Sequence, residues 1–188
     1  MRNLAQLNDD DCVKLAQRGD GKAFSELVAR YQDQIYRFLV RLTRSQDDAL
    51  DLTQDTFLRA YQNIGRWRPE ALFRTWLFRI ARNIAFDRLR RDKRVEFVEL
   101  EDDAELPGVA AEPDAVLETA QRYRLLESAL ERLPPDHREI LLLREIEEMS
   151  YDEIALVLEL NPGTVKSRLA RARTALLTQV QSGMENQP

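Results

Sequence analysis

Two amphipathic segments separated by a short break at residues 159–161 constrain the fold of this chain most. Ser150 and Glu153 have the spacing of a capping box, which predicts that the first helix begins there. Asn161 is a favourable N-cap residue, and Pro162 can take the first helical position because its missing N–H would have no partner there. A second helix is therefore predicted to start directly after the break. Two helices joined by so short a turn form a helix-turn-helix.

The predicted second helix has one apolar face and one basic face. At about 100° per residue, its apolar side chains fall within a narrow arc formed by Val165, Leu169, Ala172 and Leu176. The side chains outside the arc are basic or small: Lys166, Ser167, Ala170, Arg171 and Thr174. Residues 162–177 contain no acid, which favours entry into the major groove of duplex DNA over a solvated amphipathic hairpin. Arg168 and Arg173 flank the arc and are predicted to contact phosphates or to pack along their stems.

Composition predicts an all-α protein. Leu, Ala, Arg and Glu are abundant, and the 188 residues include only six glycines. This length accommodates one ordinary domain or two small ones. The single cysteine, Cys12, excludes an internal disulfide and fits a reducing compartment. Because the N-terminus lacks an apolar signal core and no apolar run could cross a membrane, a cytoplasmic protein without direct membrane insertion is expected.

Charge is distributed unevenly along the chain, although the net charge is only −5. Residues 74–94 contain eight bases and two acids, whereas residues 95–118 contain nine acids and no base. The acidic segment lacks a sustained apolar period and contains a Leu-Pro-Gly turn sequence, so it is predicted to be a flexible linker. The expected division is a helical domain over residues 1–94, an acidic linker over 95–118 and a second helical domain over 119–188.

Apolar residues recur at three- and four-residue spacings on both sides of this linker. The spacing predicts helices that begin at Asn8 and Ser45 and helices over residues 22–44, 73–91 and 140–146. The helix that begins at Ser45 has an outer face formed by Asp48, Asp51, Gln54, Asp55 and Leu58. An acidic face with one exposed leucine is either solvated surface or a docking face for another protein.

The helix predicted over residues 73–91 places aromatic residues beside arginines. Its expected core face consists of Phe73, Trp76, Leu77, Ile80 and Ile84. Its expected outer face carries Thr75, Arg79, Arg82, Phe86 and Arg90. This composition fits an ordinary core with a charged rim. It fits equally a surface on which aromatic rings stack on unpaired bases while arginines hold phosphates.

Five blocks of the sequence together carry a family resemblance. Three are LPPDHREILLLRE at residues 133–145, MSYDEIA at 149–155 and GTVKSRLARAR at 163–173, and the other two are DLTQDTFLRAY at 51–61 and WLFRIARNIAFDRLRR at 76–91. They resemble, in order and over nearly the whole chain, the extracytoplasmic-function (ECF, group 4) sigma factors of bacterial RNA polymerase, in the sigma-70 superfamily. The resemblance implies two small helical domains, sigma region 2 and the sigma region 4 helix-turn-helix.

The resemblance implies a sigma subunit that binds core RNA polymerase and directs promoter-specific initiation by reading the −35 duplex and helping to open the −10 region. By matching position, the −35 contacts are Thr164, Lys166, Ser167, Arg168 and Arg171. The −10 binding and melting residues are Trp67, Trp76, Arg79, Arg82, Asn83, Arg88 and Arg91. The residues that dock on core polymerase are Asp51, Gln54, Asp55 and Leu58. An anti-sigma partner, in some cases membrane-anchored, is also implied.

Two positions depart from the family pattern. Glu148 stands where the family often has glycine, and Pro162 lies one place later than the family's usual proline. The turn near Asn161 is therefore expected to differ slightly from the family geometry.

Two other classes of protein compete with this interpretation. A two-domain helix-turn-helix regulator that acts without polymerase would explain the basic helix, but it would leave the acidic face and the Trp- and Arg-rich helix without a role. An enzyme would need a catalytic constellation, and the chain has one histidine, His137, and no Gly-rich phosphate loop, metal-ligand spacing or nucleophile elbow. No enzymatic activity, cofactor or metal site is therefore expected.

Overall fold

The computed structural model describes residues 4–95 and 115–185, and all regular secondary structure within them is helical. The α-helices of these residues are α1 Asp9–Gln17, α2 Gly21–Thr43, α3 Gln46–Asn63, α4 Phe73–Val95, α5 Ala115–Glu131, α6 Pro135–Leu141, α7 Tyr151–Leu158 and α8 Pro162–Glu185. Short 3₁₀ helices lie at Leu4–Gln6 and Ile64–Arg66. The prediction of an all-α fold with two helical domains is confirmed. Most of the predicted linker lies outside the described residues.

Side-chain caps begin the helices where the sequence indicated. Asn8 and Ser45 each accept a hydrogen bond from the backbone N–H three residues later, at 2.9 and 3.1 Å. Ser150 accepts from the N–H of Glu153 at 3.2 Å, and the Glu153 carboxylate accepts from the N–H of Ser150 at 2.8 Å, which completes the predicted capping box. α2 begins one residue earlier than predicted because Asp20 caps it.

The N-terminal half packs α1 to α4 around an apolar core. The largest fully buried side chains of α2 and α4 are Leu27, Ile35, Phe38, Leu39, Leu42, Phe73, Leu77, Phe78 and Ile84. The rings of Phe38 and Phe78 meet edge-on, with their centroids 5.2 Å apart. The buried face of α4 differs from the predicted one, since Phe78 is buried whereas Trp76 and Ile80 are only half-buried.

The C-terminal half packs α5 to α8 around Ile140, Leu142, Leu143, Met149, Ile154, Val157, Val165, Leu169 and Ala172. Residues 140–146 are helical as predicted, but the helix begins earlier, at Pro135, and α6 continues beyond Leu141 as one π-helical turn, Leu142–Ile146. Glu148 then adopts a left-handed φ of 54°. Glycine adopts this conformation without steric cost, which explains the family's preference at this position and makes Glu148 a locally strained substitute.

The two halves pack against each other along α4. α7 lies against α4, α6 contacts α2, and the buried apolar residues of both halves form one continuous cluster. Thr75, predicted on the outer face of α4, is only 1% exposed. The outer face of α4 is therefore partly covered by the C-terminal half.

Candidate nucleic-acid interface

α7 and α8 form the predicted helix-turn-helix. A three-residue connection joins them, and Glu159 ends α7 in the left-handed conformation with a φ of 55°. The carbonyl of Asn161 accepts hydrogen bonds from the N–H groups of Thr164 and Val165 at 2.9 and 3.2 Å. α8 therefore starts at Pro162, as the sequence predicts.

The inward face of α8 is the predicted one. Val165, Leu169 and Ala172 are each at most 1% exposed, and Leu176 is half-buried. These residues anchor α8 on the rest of the C-terminal half. The orientation of the opposite face is thereby determined.

The outward face of α8 is basic and open. Lys166, Ser167 and Arg171 are exposed, whereas Thr164 and Arg168 are half-buried. The Ser167 hydroxyl donates to the carbonyl of Thr164 at 3.0 Å, and Arg171 Nε donates to the carbonyl of Ser167 at 3.4 Å. All five residues predicted at the −35 element thus lie within the first three turns of one helix.

Arg173 has a different environment from these five residues. It is exposed on α8, but its guanidinium donates to the Glu145 carboxylate at 2.6 and 3.0 Å. This ion pair, within the C-terminal half, occupies the arginine in the absence of DNA.

α4 carries the arginines predicted to hold the −10 strand, and they divide into two groups. Arg88 and Arg91 are exposed; Arg88 pairs with Asp48 at 2.9 Å, and Arg91 Nε donates to a backbone carbonyl of its own helix at 3.2 Å. Arg79 and Arg82 are half-buried. The distal end of α4 is thus open, while its first turns approach the C-terminal half.

Two further predicted −10 residues lie at the rim of this surface. Trp76 is half-buried, with its ring 5.7 Å from that of Phe73. Asn83 is half-buried, and its side-chain oxygen accepts from Arg82 Nη1 at 3.3 Å. Both side chains retain exposed surface that can meet a base.

Trp67 is less accessible than the other predicted −10 residues. Its side chain is buried, at 5% exposure, and Gln17 Nε2 donates to the backbone carbonyls of Trp67 and Ile64 at 3.1 and 2.9 Å. The ring therefore lies under the loop in this structure, and the stacking of Trp67 on a base stays a prediction. The buried indole N–H has no hydrogen-bond partner.

α3 presents the predicted docking residues together. Asp51, Gln54, Asp55 and Leu58 are all exposed. Leu50 and Tyr61, both 54% exposed, extend the same surface, and sequence reasoning missed them. Their spacing of four, four and three residues through Gln54 and Leu58 could have revealed a stripe along one helix face. The six residues, Leu50, Asp51, Gln54, Asp55, Leu58 and Tyr61, are called the docking face below.

Family models match both halves of the chain. Residues 27–95 match the model described as Sigma-70 region 2, and residues 123–176 match Sigma-70, region 4. The RNA polymerase sigma-H factor of Pseudomonas aeruginosa is 38% identical over 92% of this chain and 94% of its own. The ECF RNA polymerase sigma-E factor of Haemophilus influenzae is 36% identical over 94% of this chain and 97% of its own.

The chain belongs to the ECF sigma factors. It is an alternative sigma subunit that binds core RNA polymerase and promoter DNA and directs promoter-specific transcription.

Two solved structures of sigma factors are similar to this one. The sigma factor RpoE, in complex with the anti-sigma factor NepR from Bartonella quintana, is 27% identical, with a TM-score of 0.69 over 85% of this chain and 98% of that one. CnrH, in complex with the cytosolic domain of CnrY, is 29% identical, with a TM-score of 0.67 over 93% of this chain and 97% of that one.

In this sigma factor, two ion pairs join the halves where α4 meets the C-terminal half. Arg82 donates to the Glu139 carboxylate from Nε at 2.8 Å and from Nη2 at 3.3 Å. Arg74 Nη2 donates to the carboxylate and to the backbone carbonyl of Glu147 at 2.9 and 2.6 Å. Burial raises the pKa of both acids, and their arginine partners oppose that shift.

Sequence reasoning missed these pairs. One available signal was the position of Glu139, which precedes the apolar run of residues 140–143 and shares its helical face with Leu142 and Leu143. An acid on a buried helical face requires a partner. Nothing in the sequence identified Arg82 as that partner.

The described residues show neither a metal site nor a membrane-spanning helix. No group of three or more His, Cys, Asp or Glu side chains there could hold a metal ion. Within residues 4–95 and 115–185, none of the helices combines the length and hydropathy of a membrane span.

Proposed function

We propose that the outward face of α8 reads the −35 element. Lys166, Ser167 and Arg171 would contact base edges in the major groove, while Thr164 and Arg168, with the N-terminus of α8, would hold phosphates. The observation that carries this proposal is that the three base-reading candidates are exposed on one helix whose opposite face is anchored by the buried side chains of Val165, Leu169 and Ala172.

Replacing Arg171 by alanine should weaken −35 recognition by about 1–3 kcal/mol, because a base-reading arginine forms paired hydrogen bonds that alanine cannot form. Lys166→Ala should act in the same direction. The test is footprinting of the reconstituted holoenzyme at promoters mapped after overexpression. Arg173→Ala is the matched control, since it removes an arginine from the same helix that an ion pair already occupies. Unchanged protection at −35 in Arg171→Ala would contradict the assignment.

We also propose that the −10 strand binds along α4. Trp76 and Asn83 would hold unpaired bases, and the phosphates would lie on Arg79, Arg82, Arg88 and Arg91. Extruding a base costs a few kcal/mol, which stacking on an aromatic ring can offset. Trp67 would act indirectly, by supporting the loop that precedes α4.

We propose that the docking face of α3 binds core polymerase. It combines three exposed apolar side chains with two carboxylates, and this mixture is typical of a protein interface with an apolar centre and a polar rim. A solvated surface helix would not need three exposed apolar side chains, Leu50, Leu58 and Tyr61, along one face.

Leu58→Ala is expected to weaken binding to core polymerase about tenfold, corresponding to about 1.4 kcal/mol for a central apolar contact. The matched control is Leu72→Ala, because Leu72 is similarly exposed, at 62% against 55%, and lies outside α3. Affinities for purified core enzyme without DNA would be compared by fluorescence anisotropy. If the two variants bind core enzyme with equal affinity, the exposed face of α3 does not contact polymerase.

The remaining roles follow from these surfaces. We propose a region 2 domain over residues 1–94, an acidic linker over 95–118 and a region 4 domain over 119–188. Two similar structures contain anti-sigma factors, which supports an anti-sigma partner for this chain as well. We further propose that the chain acts in the cytoplasm, where polymerase transcribes, and that catalysis belongs to the polymerase alone.

A further inference from the structure

The C-terminal half places three acids against the first turns of α4. Glu139 and Glu147 bind Arg82 and Arg74, and Glu153 accepts a hydrogen bond from the Thr75 hydroxyl at 3.3 Å. Glu139 and Glu147 have side chains that are 0% and 4% exposed. Glu139 and Glu147 therefore form buried contacts, unlike the exposed Glu145–Arg173 pair.

Arg138 joins the two halves at a second site. Arg138 is 4% exposed, and its guanidinium donates to the carbonyls of Leu130, Glu131 and Leu133 and, across the interface, to that of Leu42 at 2.8 Å. It thereby joins the C-terminal ends of α5 and α2. The contact between the halves thus has two polar sites around an apolar centre.

In the Arg82–Glu139 pair, the guanidinium forms the same kind of hydrogen bonds that it would form with a DNA phosphate. A carboxylate and a phosphate both accept the two parallel N–H bonds that a guanidinium offers. Arg82 cannot hold Glu139 and a phosphate with the same Nε and Nη2 atoms at once. DNA binding along the first turns of α4 therefore competes with closure of the chain.

We propose that the free sigma factor is closed on itself, with Glu139 occupying Arg82 in place of a DNA phosphate and Glu147 holding Arg74 as a second contact between the halves. This inference rests on the proposed −10 role of α4. The docking face on α3 and the outward face of α8 remain exposed in the closed chain. Binding to polymerase is therefore compatible with closure, whereas −10 binding requires the halves to separate.

A double variant, Arg74→Ala with Thr75→Gln, is designed to separate the two halves and is called the opening variant. Loss of Arg74 leaves the buried Glu147 without its cation, and a longer side chain at position 75 meets α7 only while the halves are closed. Neither residue belongs to the proposed −10, −35 or docking sets. The matched control is Arg30→Ala, because the Arg30 side chain is as buried as that of Arg74, at 23% exposure, but pairs with Asp9 and Glu26 inside the N-terminal half.

Small-angle X-ray scattering of the full chain measures closure directly. A compact chain of this length has a radius of gyration of about 16 Å. Wild type and Arg30→Ala should lie close to that value, and the opening variant should be several ångströms larger. A wild type as extended as the variant would overturn the proposal.

Binding to a short fluorescein-labelled single-stranded DNA of random sequence measures competition. The opening variant should bind it about tenfold more tightly than wild type, although it has one arginine fewer, while its affinity for core polymerase stays unchanged. Expansion without a gain in DNA affinity would contradict occlusion of the DNA-binding surface. A gain in polymerase affinity would contradict an open docking face.

Adding Arg82→Ala to the opening variant tests DNA binding by Arg82 separately from closure of the chain. This change should abolish the gain in DNA affinity. If the gain persists, the proposed −10 role of Arg82 fails, and with it the competition, even though scattering still demonstrates closure.

Discussion

Trp67→Ala is expected to lower the free energy of unfolding of the N-terminal half by about 3–5 kcal/mol, the usual cost of truncating a buried aromatic side chain to alanine. Trp67 is 5% exposed and lies against the apolar core. The truncation leaves a cavity under the loop that leads into α4. Promoter opening should fail in this variant as a consequence of the unfolded loop.

The measurement needs a probe other than tryptophan emission, because the chain has only two tryptophans. Cys12 supplies one, since it is 0% exposed on α1 and burial raises the pKa of its thiol. α1 also packs on the 3₁₀ helix that precedes Trp67. A thiol reagent should therefore react with Cys12 much faster in Trp67→Ala than in wild type.

Trp76→Ala is the control for this prediction. Trp76 is half-buried at the rim of α4, so its loss should impair promoter opening with a smaller loss of stability. Wild-type stability and slow Cys12 labelling in Trp67→Ala, together with failed promoter opening, would restore the stacking role that the family resemblance implied.

Trp67 illustrates where sequence reasoning stops. An aromatic residue in a loop that contains Gly65 and Pro69 can either cover the apolar core or stack on an unpaired base. The decision depends on Gln17, which is 50 residues away and fixes the loop backbone from α1. Such a tertiary contact has no local signature.

Local signals, by contrast, predicted the helix-turn-helix accurately. The Ser150–Glu153 capping box and the start of α8 at Pro162 depend on residues within one turn of each other. The burial of Val165 and Leu169 follows from helical periodicity alone. The basic face could therefore be identified before any fold was known.

The contact between the halves could not be predicted in this way. Arg82 and Glu139 are 57 residues apart, with the acidic segment between them in the sequence. Helical periodicity placed Thr75 and Arg82 on an outer face of α4, which is correct for the N-terminal half considered alone. The prediction missed that the C-terminal half covers this face, because helical periodicity does not specify which other helix packs there.

Arg138→Ala is expected to lower the free energy of unfolding of the C-terminal half by about 3 kcal/mol, because several buried carbonyls lose their donor while the removal of a buried charge offsets part of that loss. Burial lowers the pKa of Arg138 to about 10, so the guanidinium stays charged at neutral pH. Its acceptors are the carbonyls at the ends of α5 and α2, where the helix dipoles favour a cation. No carboxylate is needed there.

The two halves can be monitored separately in this experiment. Trp67 and Trp76 both lie in the N-terminal half, so tryptophan emission follows that half while circular dichroism follows both. In urea, Arg138→Ala should lose part of its helical signal at a lower denaturant concentration than wild type, ahead of the change in emission. Arg132→Ala, an exposed arginine in the loop between α5 and α6, is the matched control and should leave both transitions in place. If both transitions of Arg138→Ala occur at the same urea concentrations as in wild type, water replaces the guanidinium as the donor to these carbonyls. Arg138 then does not hold the ends of α5 and α2 together.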